Sequence, residues 1–179
     1  MKKHIDTPVY FVIICLLAGI MSCRITPKEK SKEEIARQNE SLLNINKYLV
    51  GKDTDIIRAY AERRGWKMTT TQTGLWYIIS NEGRGNPVQT GKMAEIKYKV
   101  SLLDGTICYS SDSLGSKIFK IGQGGVESGL EEGILLMHEG GKGIFIMPPH
   151  LAHGLMGDEN KIPRRTIILY EVEIIKISD

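Results

Sequence analysis

Cysteine, charge of one sign and long apolar runs are all scarce in this sequence, and each shortage excludes a class of protein. Only three cysteines occur in 179 residues, at positions 15, 23 and 108, so the chain is not a disulfide-dense scaffold. Lys and Arg number 24 against 21 Asp and Glu, a formal charge of +3, too even for a dedicated nucleic-acid binder. The apolar run at residues 9–21, VYFVIICLLAGIM, is shorter than the roughly 20 residues that span a bilayer as a helix. The glycine clusters at 122–125 and 139–142 lack a following Gly-Lys-Ser/Thr and so are turns, not phosphate loops. No GxSxG elbow is present either, which argues against a serine hydrolase. His150 and His153 follow two prolines and lack the Glu of HExxH, so no metal site is expected. What remains, 41% hydrophobic and 25% charged residues, describes an ordinary globular chain.

The amino end reads as a targeting segment. Lys2 and Lys3 precede the apolar run, and Ile20-Met21-Ser22-Cys23 follows it directly. An aliphatic residue, a small one and then cysteine resemble the lipobox of bacterial lipoproteins, whose cysteine is acylated after cleavage. The expectation is a lipoprotein signal peptide over 1–22, lipidation at Cys23, and a lipid-anchored place in the bacterial cell envelope, periplasm-facing or at the outer membrane. Cys15 then leaves with the signal, and Cys108 has no partner for an intramolecular disulfide.

Residues 23–65 form a charged tether followed by helices. Ser31-Lys32-Glu33-Glu34 has the pattern of a capping box and predicts a helix over about 31–49. Asp53 or Thr54 caps a second helix, with Ile56, Ile57, Tyr60 and Ala61 on one face and Arg63-Arg64-Gly65 at its end. These helices read as a spacer that lifts a domain off the membrane, with a homodimer arm through residues 31–64 as the alternative.

Beyond residue 65 the pattern changes to strands and turns, and 17 of the 19 glycines follow Arg64. Ile96, Tyr98, Val100 and Leu102 alternate with Lys97, Lys99 and Ser101, a half-buried strand, and Asp104-Gly105 marks a hairpin. Strands are expected at 75–80, 93–103, 106–111, 117–122, 143–148 and 166–177, with one helix at about 126–138. The intervening loop, 149–165, is long enough to suggest function. One short helix among antiparallel strands predicts an α+β half-barrel over 66–179.

In this order the segments IKYKV with Tyr98, LLDGTICYSS, Val126-Glu127-Ser128-Gly129-Leu130-Glu131-Glu132-Gly133, Pro148-Pro149-His150-Leu151-Ala152-His153-Gly154, Ile162-Pro163 and Tyr170-Glu171-Val172-Glu173 resemble the FKBP family of peptidyl-prolyl isomerases. With the lipobox, the chain resembles the gliding-motility-associated lipoproteins of that family. The resemblance implies a twisted antiparallel half-barrel wrapped on one short α-helix and isomerisation of X–Pro bonds in proline-containing segments of exported proteins. It implies no cofactor. Carried over by position, it implies catalytic roles for Tyr98, Phe119, Val126 and Tyr170, and a substrate-binding amide at Glu127. Six positions depart from the family. Cys108-Tyr109 stands where a Phe-Asp pair is usual, Lys117 where a phenylalanine, Leu130 where a tryptophan, His153 where a tyrosine, and Glu127, which keeps the N–H, where an isoleucine. Those departures leave two expectations open, a weak isomerase or a peptide-binding module without catalysis.

Overall fold

Alternation governs the central strands. A computed structural model describes residues 31–179; the expected signal peptide and the Cys23 lipidation site lie outside the described residues. Two compact units divide the chain, one ending at Leu42 and the other running from Leu43 to Asp179. Within the first, Ser31 Oγ accepts the Glu34 N–H at 3.2 Å while Glu34 Oε2 accepts the Ser31 N–H at 3.4 Å. The capping box expected there is formed.

The second unit is built on a sheet. Its strands are β1 (Thr69–Thr70), β2 (Trp76–Asn81), β3 (Met93–Leu102), β4 (Ile107–Ser110), β5 (Lys117–Lys120), β6 (Lys142–Met147) and β7 (Ile168–Ser178). They pair antiparallel in the order β1-β2-β6-β7-β3-β4, and β5 adds to the first residues of β3, from Met93 to Ile96. Ala94, Ile96, Tyr98 and Val100 of β3 are buried in register with β7, where Tyr98 faces Val172 and Val100 faces Tyr170. This is the α+β half-barrel expected from the sequence.

One face of the sheet holds the main core. Leu130 and Ile134 of a short helix, α3 (Ser128–Ile134), pack there with Phe145, Met147, Ile168 and Tyr170. Gly133 permits this contact, because a Cβ there would lie 2.6 Å from the Phe145 ring. The opposite face carries a second core of Ile146, Leu169 and Ile167, covered by Ile57 and Tyr60 of the long helix α1 (Lys32–Arg63). Strands covered on both faces bury every residue, not every second one. That explains the unbroken apolar runs in β6 and at the start of β7.

Three expectations need correction. Helices 31–49 and 53–64 are one continuous α1 of 32 residues. Thr54 does not cap; its hydroxyl donates to Val50 O one turn back at 2.9 Å. Asp53 is buried and accepts from Arg165 Nη2 at 2.9 Å, so it anchors the helix instead of starting it. The helix expected at 126–138 ends at Ile134, because the following residues leave to bond the 82–88 segment: His138 N–H donates to Glu82 O at 2.7 Å, and Val88 N–H to Met137 O. Finally, the strand expected to reach residue 111 stops at Ser110, and a turn of helix, α2 (Ser111–Leu114), follows, capped by Ser110 Oγ accepting from Asp112 N–H.

Candidate active site

The concave side of the half-barrel opens into a cavity of about 340 Å³. Tyr98 and Val100 reach it from β3, Tyr170 from β7, Lys117 from β5 and Glu127 from the residue that precedes α3. The loop between β6 and β7 closes the rim with His153, Asp158 and Asn160, and Tyr109 of β4 faces them. A second cavity of about 330 Å³ adjoins it, walled by Gly124, Gly125, Val126 and Ala152. Lys117, Glu127 and His153 border both cavities.

Aromatic rings form the apolar wall. Tyr98 and Tyr170 have ring centroids 6.1 Å apart at 33°, and Val100 is 1% exposed beside them. Val126 packs against the same core. Tyr98 and Val100 share a face of β3 because residues two apart do so in any strand. Val100 then brings Tyr170 opposite through the register of β7.

Into this wall the chain inserts charge. The Glu127 side chain is only 8% exposed, yet its carboxylate has three neighbours. His153 Nε2 lies 3.1 Å from Oε1, the Tyr170 hydroxyl donates to both oxygens at 3.3 Å, and Lys117 Nζ stands 3.8 Å from Oε2. Lys117 Nζ also donates to the Tyr170 hydroxyl at 3.0 Å and lies 4.9 Å above the Tyr98 ring. Burial first, then the negative charge of Glu127, pushes the Tyr170 hydroxyl well above the ordinary phenol range and raises that of Tyr98 as well. Both therefore remain neutral donors at any physiological pH.

The rim has its own network. Asp158 accepts the Tyr109 hydroxyl, together with the amides of Ile162 at 2.7 Å and Asn160 at 3.0 Å. Burial disfavours its charge, but these donors and His153 outweigh it and hold the carboxyl below the usual range. The bond to Asp158, then burial, raises the Tyr109 hydroxyl. Gly157 makes the turn possible, with φ +73 and a would-be Cβ 2.3 Å from Ile162 O.

Of the residues expected in the site, the structure brings Tyr98, Val126, Glu127, Tyr170, Tyr109, Lys117 and His153 to the two cavities. Three others lie in the core and line neither cavity. Phe119, opposite Ala94, is 7% exposed and packs beneath the barrel. Leu130 is wholly buried on the inner side of α3. Cys108 is 2% exposed, with its thiol 3.6 Å from Lys161 O, and burial followed by Asp158 raises its pKa. Asp158 and Asn160 were missed, although Gly157-Asp158-Glu159-Asn160 has the composition of an Asx turn. His150 and His153 diverge, the former bonding Thr73 O at 2.8 Å. Among the described residues no group of three or more His, Cys, Asp or Glu could hold a metal.

A further open groove on the sheet shares Tyr98 with the cup and adds Ile144 and Val172. Its charges are paired across strands, Lys99 with Glu171 at 2.6 Å and Lys142 with Glu173 at 3.1 Å.

Comparison with known proteins bears on the whole half-barrel. Residues 85–175 match the family model described as FKBP-type peptidyl-prolyl cis-trans isomerase. A probable FKBP-type peptidyl-prolyl cis-trans isomerase of Haemophilus influenzae is 30% identical over 116 residues, 64% of this chain and 47% of that protein. The chain thus spans about half the length of that relative. FK506-binding protein 2 of Yarrowia lipolytica is 33% identical over 114 residues, 63% of this chain and 79% of that protein. The crystal structure of FkpA from Escherichia coli superposes with a TM-score of 0.60 at 22% identity, covering 98% of this chain and 84% of that one, a likeness of fold. The ordered motifs, the half-barrel and the family match agree: the chain belongs to the FKBP-type peptidyl-prolyl cis-trans isomerase family.

Proposed function

We propose that the chain catalyses cis-trans isomerisation of X–Pro bonds in the cavity between Tyr98 and Tyr170. The single observation that carries this reading is a proline-sized apolar wall beside an unspent amide. The backbone N–H of Glu127 has no acceptor among the described residues, and Glu127 borders both cavities, where a peptide carbonyl would accept it. The X–Pro bond must cross a barrier of about 18–20 kcal/mol set by amide resonance. No nucleophile is needed; the site must hold the twisted imide better than either planar isomer. Twisting removes the charge separation of the planar amide, so the buried surfaces of Val100, Tyr98 and Tyr170 favour the twisted form. The Glu127 N–H fixes the neighbouring carbonyl, which keeps rotation to one bond.

The test is exchange spectroscopy on a series of Xaa-Pro peptides with the chain lacking residues 1–23. Exchange cross-peaks at catalytic protein concentrations are expected, and absence of enhanced exchange for every peptide would sink the reading. A second reading, a peptide-binding module without catalysis, draws on Lys117 and Glu127. Charges inside the cup favour the polar planar amide and oppose twisting, so activity is expected to be weak. Binding without exchange would favour that module.

The finer reading is an envelope lipoprotein acylated at Cys23 that assists the folding of exported proteins through their proline-containing segments. Its support is the lipobox sequence Ile20-Met21-Ser22-Cys23 behind the apolar run. Loss of palmitate labelling in Cys23→Ala is the expected result. A second copy docked through residues 31–64 belongs to the same reading, supported by exposed Ile35, Leu42, Ile45 and Tyr48 on α1. Sedimentation of the soluble chain decides it.

A further inference from the structure

The donors and acceptors around the cup do not balance, although its charges nearly do. Glu127 Oε1 already accepts from His153 and Tyr170, and Oε2 accepts from Tyr170 with Lys117 beyond it. Asp158 Oδ1 accepts two amides and Oδ2 the Tyr109 hydroxyl. Every oxygen of the two carboxylates therefore already faces a protein donor, the one Tyr170 proton being shared between the two oxygens of Glu127.

The cations are not. An ammonium has three N–H donors. Lys117 Nζ uses one on the Tyr170 hydroxyl and reaches Glu127 only at 3.8 Å, too long for a good hydrogen bond. Its side chain is 30% exposed, and it borders both cavities. Across the rim, Lys161 Nζ rests 5.3 Å from the Tyr109 ring centroid, a contact with a ring face that leaves its N–H donors uncommitted. A ligand entering the cup thus meets carboxylate oxygens that already hold protein donors and cationic donors that are free.

We infer that Lys117 is a specificity-determining residue that selects prolines flanked by an acidic side chain. With the proline ring against Tyr98 and Tyr170, a flanking side chain lies over the Lys117–Glu127–His153 border and extends toward the second cavity. A carboxylate there takes the spare donors of Lys117 in a charge-assisted bond. A basic side chain finds no carboxylate oxygen unclaimed, and an apolar one must desolvate the ammonium without replacing its water. The inference rests on the proposal that the cup receives proline peptides; it does not require that the cup isomerise them.

Four peptides test it by titration calorimetry and by exchange spectroscopy on the same samples. Two carry Glu directly before or directly after the proline, and two carry isosteric Gln at those positions. At one position the Glu peptide should bind the wild-type chain about tenfold tighter than its Gln partner at low salt, as expected for a half-screened charged hydrogen bond. The ratio should fall toward one in Lys117→Met and toward one in high salt. Equal affinity of Glu and Gln peptides at both positions in the wild-type chain overturns the inference, and needs no variant to fold. A preference that survives in folded Lys117→Met overturns the role of Lys117. Acid-selective binding without enhanced exchange supports the inference and refutes isomerase activity. Exchange without acid preference does the reverse, and no binding of any peptide refutes both.

Discussion

Tyr170 is the residue on which the cup's polar chain turns, accepting from Lys117 and donating to Glu127. Its raised pKa makes a sign-definite prediction. The usual value is 10.0, and the folded state lies above it because of burial and then Glu127. As pH climbs past 10 the unfolded chain loses this proton while the folded chain keeps it. The unfolded state is then favoured, so the stabilisation is complete below pH 10 and is lost above it. Denaturant unfolding between pH 9 and 11 should show a steeper loss in wild type than in Tyr170→Phe. Tyr98 and Tyr109 shift in the same direction, so only the difference between the two proteins reports on Tyr170; identical slopes would refute the assignment. Gly133 makes the second residue-scale case. In an ordinary helix interior, Gly→Ala gains about 1 kcal/mol. Here the added methyl meets the Phe145 ring, and overpacking costs about 1–3 kcal/mol. Gly133→Ala should therefore lower the melting temperature, and a rise would show that α3 can move away without penalty.

At the scale of elements, α1 is held by pairing remote in sequence. Arg165 sits in the left-handed region at φ +52 and gives Nη2 to both Asp53 and the Leu49 carbonyl. Arg165→Ala leaves the Asp53 carboxylate buried without its cation, and the expected loss is about 2 kcal/mol by urea unfolding. Adding Asp53→Asn should restore part of it, because the neutral amide is cheaper to bury; failure to recover would mean that Leu49 and the loop conformation matter more than the ion pair. This pairing also explains what the sequence hid. Asp53 and Thr54 are sound local signals for a helix start, yet both lie in helix interior, Asp53 held by an arginine 112 residues away. The strands were legible because burial on one or two faces leaves a period in the residues themselves. Tyr98 and Tyr170 could be placed for the same reason. Asp158 and Asn160 could not, since an aperiodic loop acquires its side-chain directions from turn hydrogen bonds. Phe119 and Lys117 share a strand face, and nothing in their spacing tells which one meets the cavity and which the core.

For the molecule as a whole, the decisive feature is a sheet buried on both sides. The sequence suggests a domain boundary near residue 66, where strand patterning begins, and the family match starts later still, at 85. Compactness starts earlier, at Leu43. Ile57 is wholly buried and Tyr60 nearly so, against Ile146, Ile167 and Leu169, and Tyr60 meets the Trp66 ring edge-on with Arg64 3.6 Å above its own ring. A fragment beginning at 66 keeps every residue of the cup but uncovers this second core. Burying two such side chains is worth roughly 3–6 kcal/mol at about 1.5–3 each, a large part of a typical domain's stability. Residues 43–179 should therefore melt well above 66–179, and only the shorter fragment should bind a dye that reports exposed apolar surface. Equal melting temperatures would show that the half-barrel closes its outer face without α1. In the expected case the helix that reads as a mere spacer is also a structural part of the isomerase-like fold. Ile57→Ala, a single change on the face opposite the cup, should then weaken peptide binding only as far as it unfolds the chain.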